Sequence, residues 1–192
     1  YFVMGSNEWR ASEAWPPAGT SSQRWYLHAD RSLERHAPAP DAAPVAYTHD
    51  PLHPVPTLGG RNLFQGTPGA YLSGPMEQSR LDDRRDLVRF TGRPLDRSLT
   101  ITGDLVVSIV ATTTAVDTDW TAKLVDVFPD GRSYNVADGI VRARFRHGTD
   151  RSRLLEPGEP NRFDIQLGPT AYSFLPGHCL RVEIASSNFP RF

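Results

Sequence analysis

The chain has 192 residues, 39% of them hydrophobic and 22% charged, with a formal net charge of −1. That is enough chain to bury a proper core, and the charge balance supplies no field to draw nucleic acid or an anionic membrane. Cys179 is the only cysteine, which excludes an internal disulfide, and no apolar run is long enough to span a bilayer.

The opening Tyr1-Phe2-Val3-Met4-Gly5 lacks the basic start and long apolar stretch of a secretion signal and reads as a strand. A cytoplasmic location is expected, with export of a longer parent left open. From Asn7 to about Gly74 the texture is loop-like. Trp9, Trp15, Trp25 and Tyr26 are scattered among prolines, and the stretch 37–44 (APAPDAAP) cannot hold a helix. A short strand is predicted through Arg24-Trp25-Tyr26-Leu27. The segment 49–60 (HDPLHPVPTLGG) has proline too often for a helix or sheet interior and is predicted to be an extended, stiff surface loop. Met76 to Arg85 is the one weak helix candidate, short and strongly charged.

From Asp86 onward the pattern alternates with period two, the mark of half-buried strands. Leu105, Val107, Ile109 and Ala111 share one face. Val141, Ala143 and Phe145 point one way, with Arg142, Arg144 and Arg146 on a solvated or interface-facing side. Phe163, Ile165 and Leu167 alternate with polar residues, as do Leu180, Val182 and Ile184. Leu105, Val107, Ile109, Val141, Phe145, Ile165, Leu167, Leu180, Val182 and Ile184 are the predicted core. Turns at Pro129-Asp130-Gly131, Glu156-Pro157-Gly158-Glu159 and Pro176-Gly177 separate the runs. Strands at this spacing without helices between them imply an all-β antiparallel sandwich.

The usual catalytic signals are missing. No G-x-S-x-G nucleophile elbow occurs; Gly131-Arg132-Ser133-Tyr134-Asn135 comes nearest and lacks the second glycine. No phosphate-cradling glycine loop is present, no cofactor is expected, and no metal is expected. His49 and His53 are four apart, a zinc spacing on a helix, but Pro51 and Pro54 forbid that helix. Asp117 and Asp119 are a weak calcium candidate, with hydrogen bonding at a strand entrance the simpler role. His178 is expected to be a hydrogen-bonded turn histidine, and Cys179 a small hydrophobe. Leu63 and Phe64, adjacent apolar residues between Gly60 and Gly66 in a polar loop, need a partner. On residue grounds alone, this domain's own core is the simpler one.

Several long strings carry a resemblance. The runs 115–132 (AVDTDWTAKLVDVFPDGR), 138–146 (DGIVRARFR) and 174–192 (FLPGHCLRVEIASSNFPRF) resemble the cocaine esterase and X-Pro dipeptidyl-peptidase family of bacterial α/β-hydrolases, and the cocaine esterases most of all. Cys179 stands where arginine is common in that family. The proline-rich segment 50–60 and the stretch 2–10 (FVMGSNEWR) are similar to it too, so the likeness runs through nearly the whole chain in order. It implies a galactose-binding-like jelly-roll domain from the C-terminal part of a serine hydrolase, with nucleophile, acid and histidine upstream of Tyr1. By the same resemblance, residues 1–10 are the last strand of and exit from the catalytic domain. Residues 11–85 form an irregular connecting, pocket-facing segment, and 86–192 form the main sandwich, stopping before the family's final strand.

The resemblance further implies that the catalytic residues are not in this chain and that Leu63 and Phe64 line the acyl side of the parent's pocket. The implied partners are the α/β-hydrolase and cap domains of the parent. Self-association through Tyr1-Phe2-Val3-Met4 is expected if that strand has no sheet to join. A different reading of the same fold is a free-standing carbohydrate-binding module, with Trp9, Trp15 or Trp25 stacking on a sugar ring.

Overall fold

In the computed structural model, residues 1–62 and 73–192 are described. Ten strands follow in chain order: β1 (Phe2–Val3), β2 (Glu8–Trp9), β3 (Tyr26–Leu27), β4 (Leu33–Glu34), β5 (Val88–Thr91), β6 (Leu99–Ala111), β7 (Asp119–Val127), β8 (Ser133–Arg142), β9 (Asn161–Phe174) and β10 (Cys179–Ala185). The long ones form an all-β sandwich. One layer is a four-stranded antiparallel sheet in the order β5-β10-β7-β8, and the other is the β6-β9 pair.

The alternation read from the sequence places one side of every long strand in the space between the layers. Val88, Phe90, Trp120, Ala122, Leu124, Leu180, Val182 and Ile184 come from the four-stranded sheet, and Phe163, Ile165, Leu167 and Phe174 from β9. Burial of these apolar surfaces is the main force holding the layers together. β6 contributes less completely. Leu105, Val107 and Ile109 pack on this core only partly buried, because β6 pairs with β9 alone among the described strands.

Two irregularities shape the sandwich. The β6-β9 ladder shifts register between Leu105 and Val106, which face Gly168 and Gln166, so Leu167 is the extra residue of a bulge. Inward positions on β9 therefore change from odd (Phe163, Ile165, Leu167) to even (Phe174). The second concerns β8, expected to run on to Arg146. It ends at Arg142, and Ala143–Phe145 form a 3-10 turn instead. The Ala143 amide donates to the Thr118 carbonyl at 2.8 Å and the Arg144 amide to the Asp117 carboxylate at 2.9 Å, which pulls the chain out of the strand line. Phe145 accordingly lies outside the core, and Val141 is only partly buried against it. The helix candidate over 76–85 shrinks to a 3-10 turn at Ser79–Leu81.

A third layer covers the outer side of the four-stranded sheet. The proline-rich segment is not simply a surface loop, since Val55 and Thr57 are buried. Prolines at 54 and 56 alternate with residues that still carry an N–H, and those N–H groups point to the chain's last residues. Val55 donates to Ser187 Oγ at 2.8 Å and Thr57 to the Phe189 carbonyl at 2.7 Å, while the Phe189 amide returns a bond to the Val55 carbonyl at 2.8 Å. The prolines face the other way, where no donor is required. Val55, Leu81, Leu87 and Ala185 form a small second core there.

Candidate functional site around Gly59 and Gly60

Leu63 and Phe64 lie outside the described residues; the residues on either side of segment 63–72 are described. Gly60 and Gly74 form an antiparallel bridge, exchanging amide-to-carbonyl bonds of 2.8 and 2.9 Å. Asn62 is buried beside it. Its amide donates to the Gly60 carbonyl at 3.0 Å, its side-chain amide donates to the Gly59 carbonyl at 2.8 Å, and its own carbonyl accepts from the Ser73 hydroxyl. Arg61 reaches across to the bulge and donates to the Leu167 carbonyl at 2.6 Å.

The double glycine is required by this geometry. Gly59 and Gly60 have φ of +71° and +95°, the left-handed region that residues with a Cβ avoid. A Cβ on Gly59 would stand 2.4 Å from the Gly74 carbonyl oxygen, and one on Gly60 would stand 2.7 Å from Arg191 Nη1. Asn135 of β8 fastens this corner to the sheet, accepting the Met76 amide at 2.7 Å and donating to the Gly74 carbonyl at 3.3 Å. Gln78, fully buried, donates to the Leu58 and Met76 carbonyls and accepts from Lys123 Nζ at 3.2 Å.

Lys123 belongs to a line of charges that sequence reasoning missed. In strand register, Arg89 of β5 faces Glu183 of β10, Glu183 faces Lys123 of β7, and Lys123 faces Asp138 of β8. Charge therefore alternates along one row across the sheet, and Arg191 extends it through its ion pair with Asp138. The third layer buries the row, leaving Lys123 5% and Glu183 1% exposed. Burial pulls the Lys123 ammonium below its usual pKa, opposed by Glu183 and Asp138. Burial pushes the Glu183 carboxyl up, opposed by Arg89, Lys123 and Arg181. Arg89 Nε stands 3.4 Å from Glu183, yet neither Glu183 oxygen has a hydrogen-bond donor among the described residues. Buried ion pairs do little more than offset the desolvation of their charges, so the row adds little net stability. Arg89, Lys123 and Glu183 each sit between two core residues of their strand, so by period-two alternation they fall on the face away from the sandwich core.

The model of one protein family matches residues 1–192, and that family is described as the X-Pro dipeptidyl-peptidase C-terminal non-catalytic domain. The chain belongs to this family. Cocaine esterase of Rhodococcus sp. (strain MB1 Bresler) is 38% identical over 200 residues, taking in 100% of this chain and 34% of the esterase. An α-amino acid ester hydrolase of known structure superposes with a TM-score of 0.88 at 29% identity, covering 98% of this chain and 33% of its own. An aminopeptidase from the marine sediment archaeon Thaumarchaeota archaeon gives a TM-score of 0.87 at 27% identity, with the same coverage of 98% and 33%. The X-Pro dipeptidyl-peptidase C-terminal domain described here thus spans about a third of the length of these relatives.

The domain's other candidate residues serve its own architecture. Asp119 forms a two-pronged pair with Arg142, both bonds 2.8 Å, and Asp117 pairs with Arg144 at 3.1 Å. These carboxylates anchor the turn after β8, and no group of three metal-ligating side chains occurs among the described residues. His53 bonds its neighbour Asp50 at 2.8 Å. His178 is hydrogen-bonded, but to a buried side chain: its Nδ1 lies 2.9 Å from Asp126, whose carboxylate also accepts the Tyr172 hydroxyl at 2.7 Å.

Tyr1-Phe2-Val3-Met4 is not an unpaired strand. β1 pairs with β2, and Met4 bridges Tyr172 of β9, with Val3 buried. Of the tryptophans, Trp9 is 79% exposed beside Phe2, Trp15 packs edge-on against Tyr1, and Trp25 lies under the Arg35 guanidinium. Among the described residues no helix is long and apolar enough to cross a membrane.

Proposed function

We propose that this non-catalytic domain works as part of a longer serine hydrolase. It packs on the α/β-hydrolase core and presents Leu63 and Phe64 to the acyl side of the active-site pocket. Nucleophilic serine, histidine base and acid belong to that core. The observation that supports the reading is the clamp formed by the described residues on either side, Gly59 to Asn62 and Ser73 to Gly74. The Gly60-Gly74 bridge is bolted to β8 by Asn135 and to β7 through Gln78 and Lys123. Leu63 and Phe64 follow directly on that clamp in sequence, and two adjacent apolar side chains suit an acyl group.

An apolar wall discriminates between acyl groups by about 1–3 kcal/mol per methylene-sized mismatch. Phe64→Ala in the full-length hydrolase should therefore change the ratio of kcat/KM for bulky against short acyl esters by about tenfold or more. If all esters change by the same factor, or none changes, the wall assignment is wrong. The 192-residue chain alone should take no label from a fluorophosphonate probe; a stoichiometric serine adduct would show that it carries its own nucleophile.

A further inference from the structure

We infer that the outer face of the β1-β2 hairpin, carried by Phe2 and Trp9, is the surface on which the catalytic part of the longer hydrolase docks. The inference rests on the reading of this chain as a domain packed on that part. Phe2 and Trp9 face each other across the hairpin in register, with ring centroids 5.4 Å apart. Val3, the next residue, is fully buried, so by strand alternation the two rings stand on the side away from the sandwich. Trp9 is 79% exposed and Phe2 39%. An aromatic pair left in water forgoes much of the apolar burial it offers, and tryptophan is among the residues most enriched where proteins meet.

The hairpin is a firm mount for such a face. The Met4 amide donates to the Ala171 carbonyl at 3.0 Å and the Ser173 amide to the Met4 carbonyl at 2.8 Å, which ties the hairpin to β9. Gly5 lies so close that a Cβ on it would stand 2.1 Å from the Ser173 carbonyl oxygen. Glu8 and Arg10 pair with each other at 2.8 Å, so the charges flanking Trp9 cancel and leave an apolar surface to be met. Chain order selects the occupant. The family is described as a C-terminal domain, and this chain takes in 34% of the esterase's length, so most of such a hydrolase lies on the Tyr1 side. Residues joined just ahead of Phe2 reach no further than about 3.6 Å each, which holds that part beside the rings at an effective concentration of about millimolar. A second copy in solution competes poorly with a neighbour tethered so closely.

The test is hydroxyl-radical footprinting of the full-length hydrolase, read residue by residue by mass spectrometry, with each rate corrected for the side chain's intrinsic reactivity. Trp9 and Phe2 should be labelled about tenfold or more below the rate their exposure in this domain dictates, as for rings from which a partner excludes water. Leu52 and Leu154, 85% and 56% exposed, serve as references and should react at the rate their exposure sets. The protection should be the same at high and low protein concentration, because the partner is tethered. Protection that disappears on dilution makes the occupant a second copy and overturns the proposal. Free labelling of Trp9 and Phe2 overturns it too, and the rest of the footprint separates the two failures. If another exposed apolar side chain, such as Val110 or Phe189, is protected instead, the domain packs through a different face and only the docking surface is wrong. If no exposed apolar side chain of the domain is protected, its packing on the hydrolase fails as well.

Discussion

Gly139 of β8 lies so close to Gln166 of β9 that a Cβ on it would stand 2.0 Å from the Gln166 carbonyl oxygen. Here the two layers of the sandwich meet backbone to backbone, beside the β9 bulge that also frees the Leu167 carbonyl for Arg61. Glycine at 139 is thus a matter of space, and Gly139→Ala should destabilise the fold by about 1–3 kcal/mol or more, the cost of overpacking against a backbone that cannot step aside. Urea unfolding measures it. A loss below about 0.5 kcal/mol would mean that the layers separate more easily at this edge than their packing implies.

Core truncations should rank by how completely each strand is covered. Ile165 of β9 has no exposed surface, whereas Ile109 of β6 is only partly buried. Ile165→Ala should cost about 2–5 kcal/mol, and Ile109→Ala less, because its neighbours on the open side of β6 leave a smaller cavity. Equal losses in thermal and urea unfolding would indicate that β6 is covered as fully as β9.

The buried row predicts an unusual pH response. Burial raises the Glu183 pKa above its ordinary 4.5, so the folded state holds this proton at pH values where the unfolded chain has released it. The folded state then binds more protons than the unfolded one, and stability must fall as pH rises between the two pKa values. Measured against Glu183→Gln, wild-type stability should fall as pH climbs above about 4.5, with a slope of at most about 1.4 kcal/mol per pH unit. Unfolding of both proteins in urea from about pH 4 to 8 gives the difference directly. A difference that rises with pH would show that Arg89, Lys123 and Arg181 outweigh desolvation.

The strand sequence, the antiparallel sandwich and most of its core were legible because period-two alternation reports directly which side of a strand is buried. Phe163, Ile165, Leu167, Leu180, Val182 and Ile184 all lie where that pattern puts them. The end of β8 was not legible. Val141, Ala143 and Phe145 keep the alternation, and only the contacts of residues 143 and 144 with Thr118 and Asp117, distant in sequence, turn the chain away.

The candidate site divides in the same way. The double glycine and the family strings are local, and they pointed from the sequence to the 59–74 region and to a non-catalytic domain of a serine hydrolase. The clamp beneath that region joins residues 60, 74, 78, 123, 135, 138 and 191, which no spacing rule connects. Lys123, Glu183 and Asp138 are not singled out by any motif or spacing in the sequence. They are buried because segment 55–62 and the last residues of the chain pair with each other over that face, and pairing of segments about 130 residues apart is decided only when the whole chain has folded.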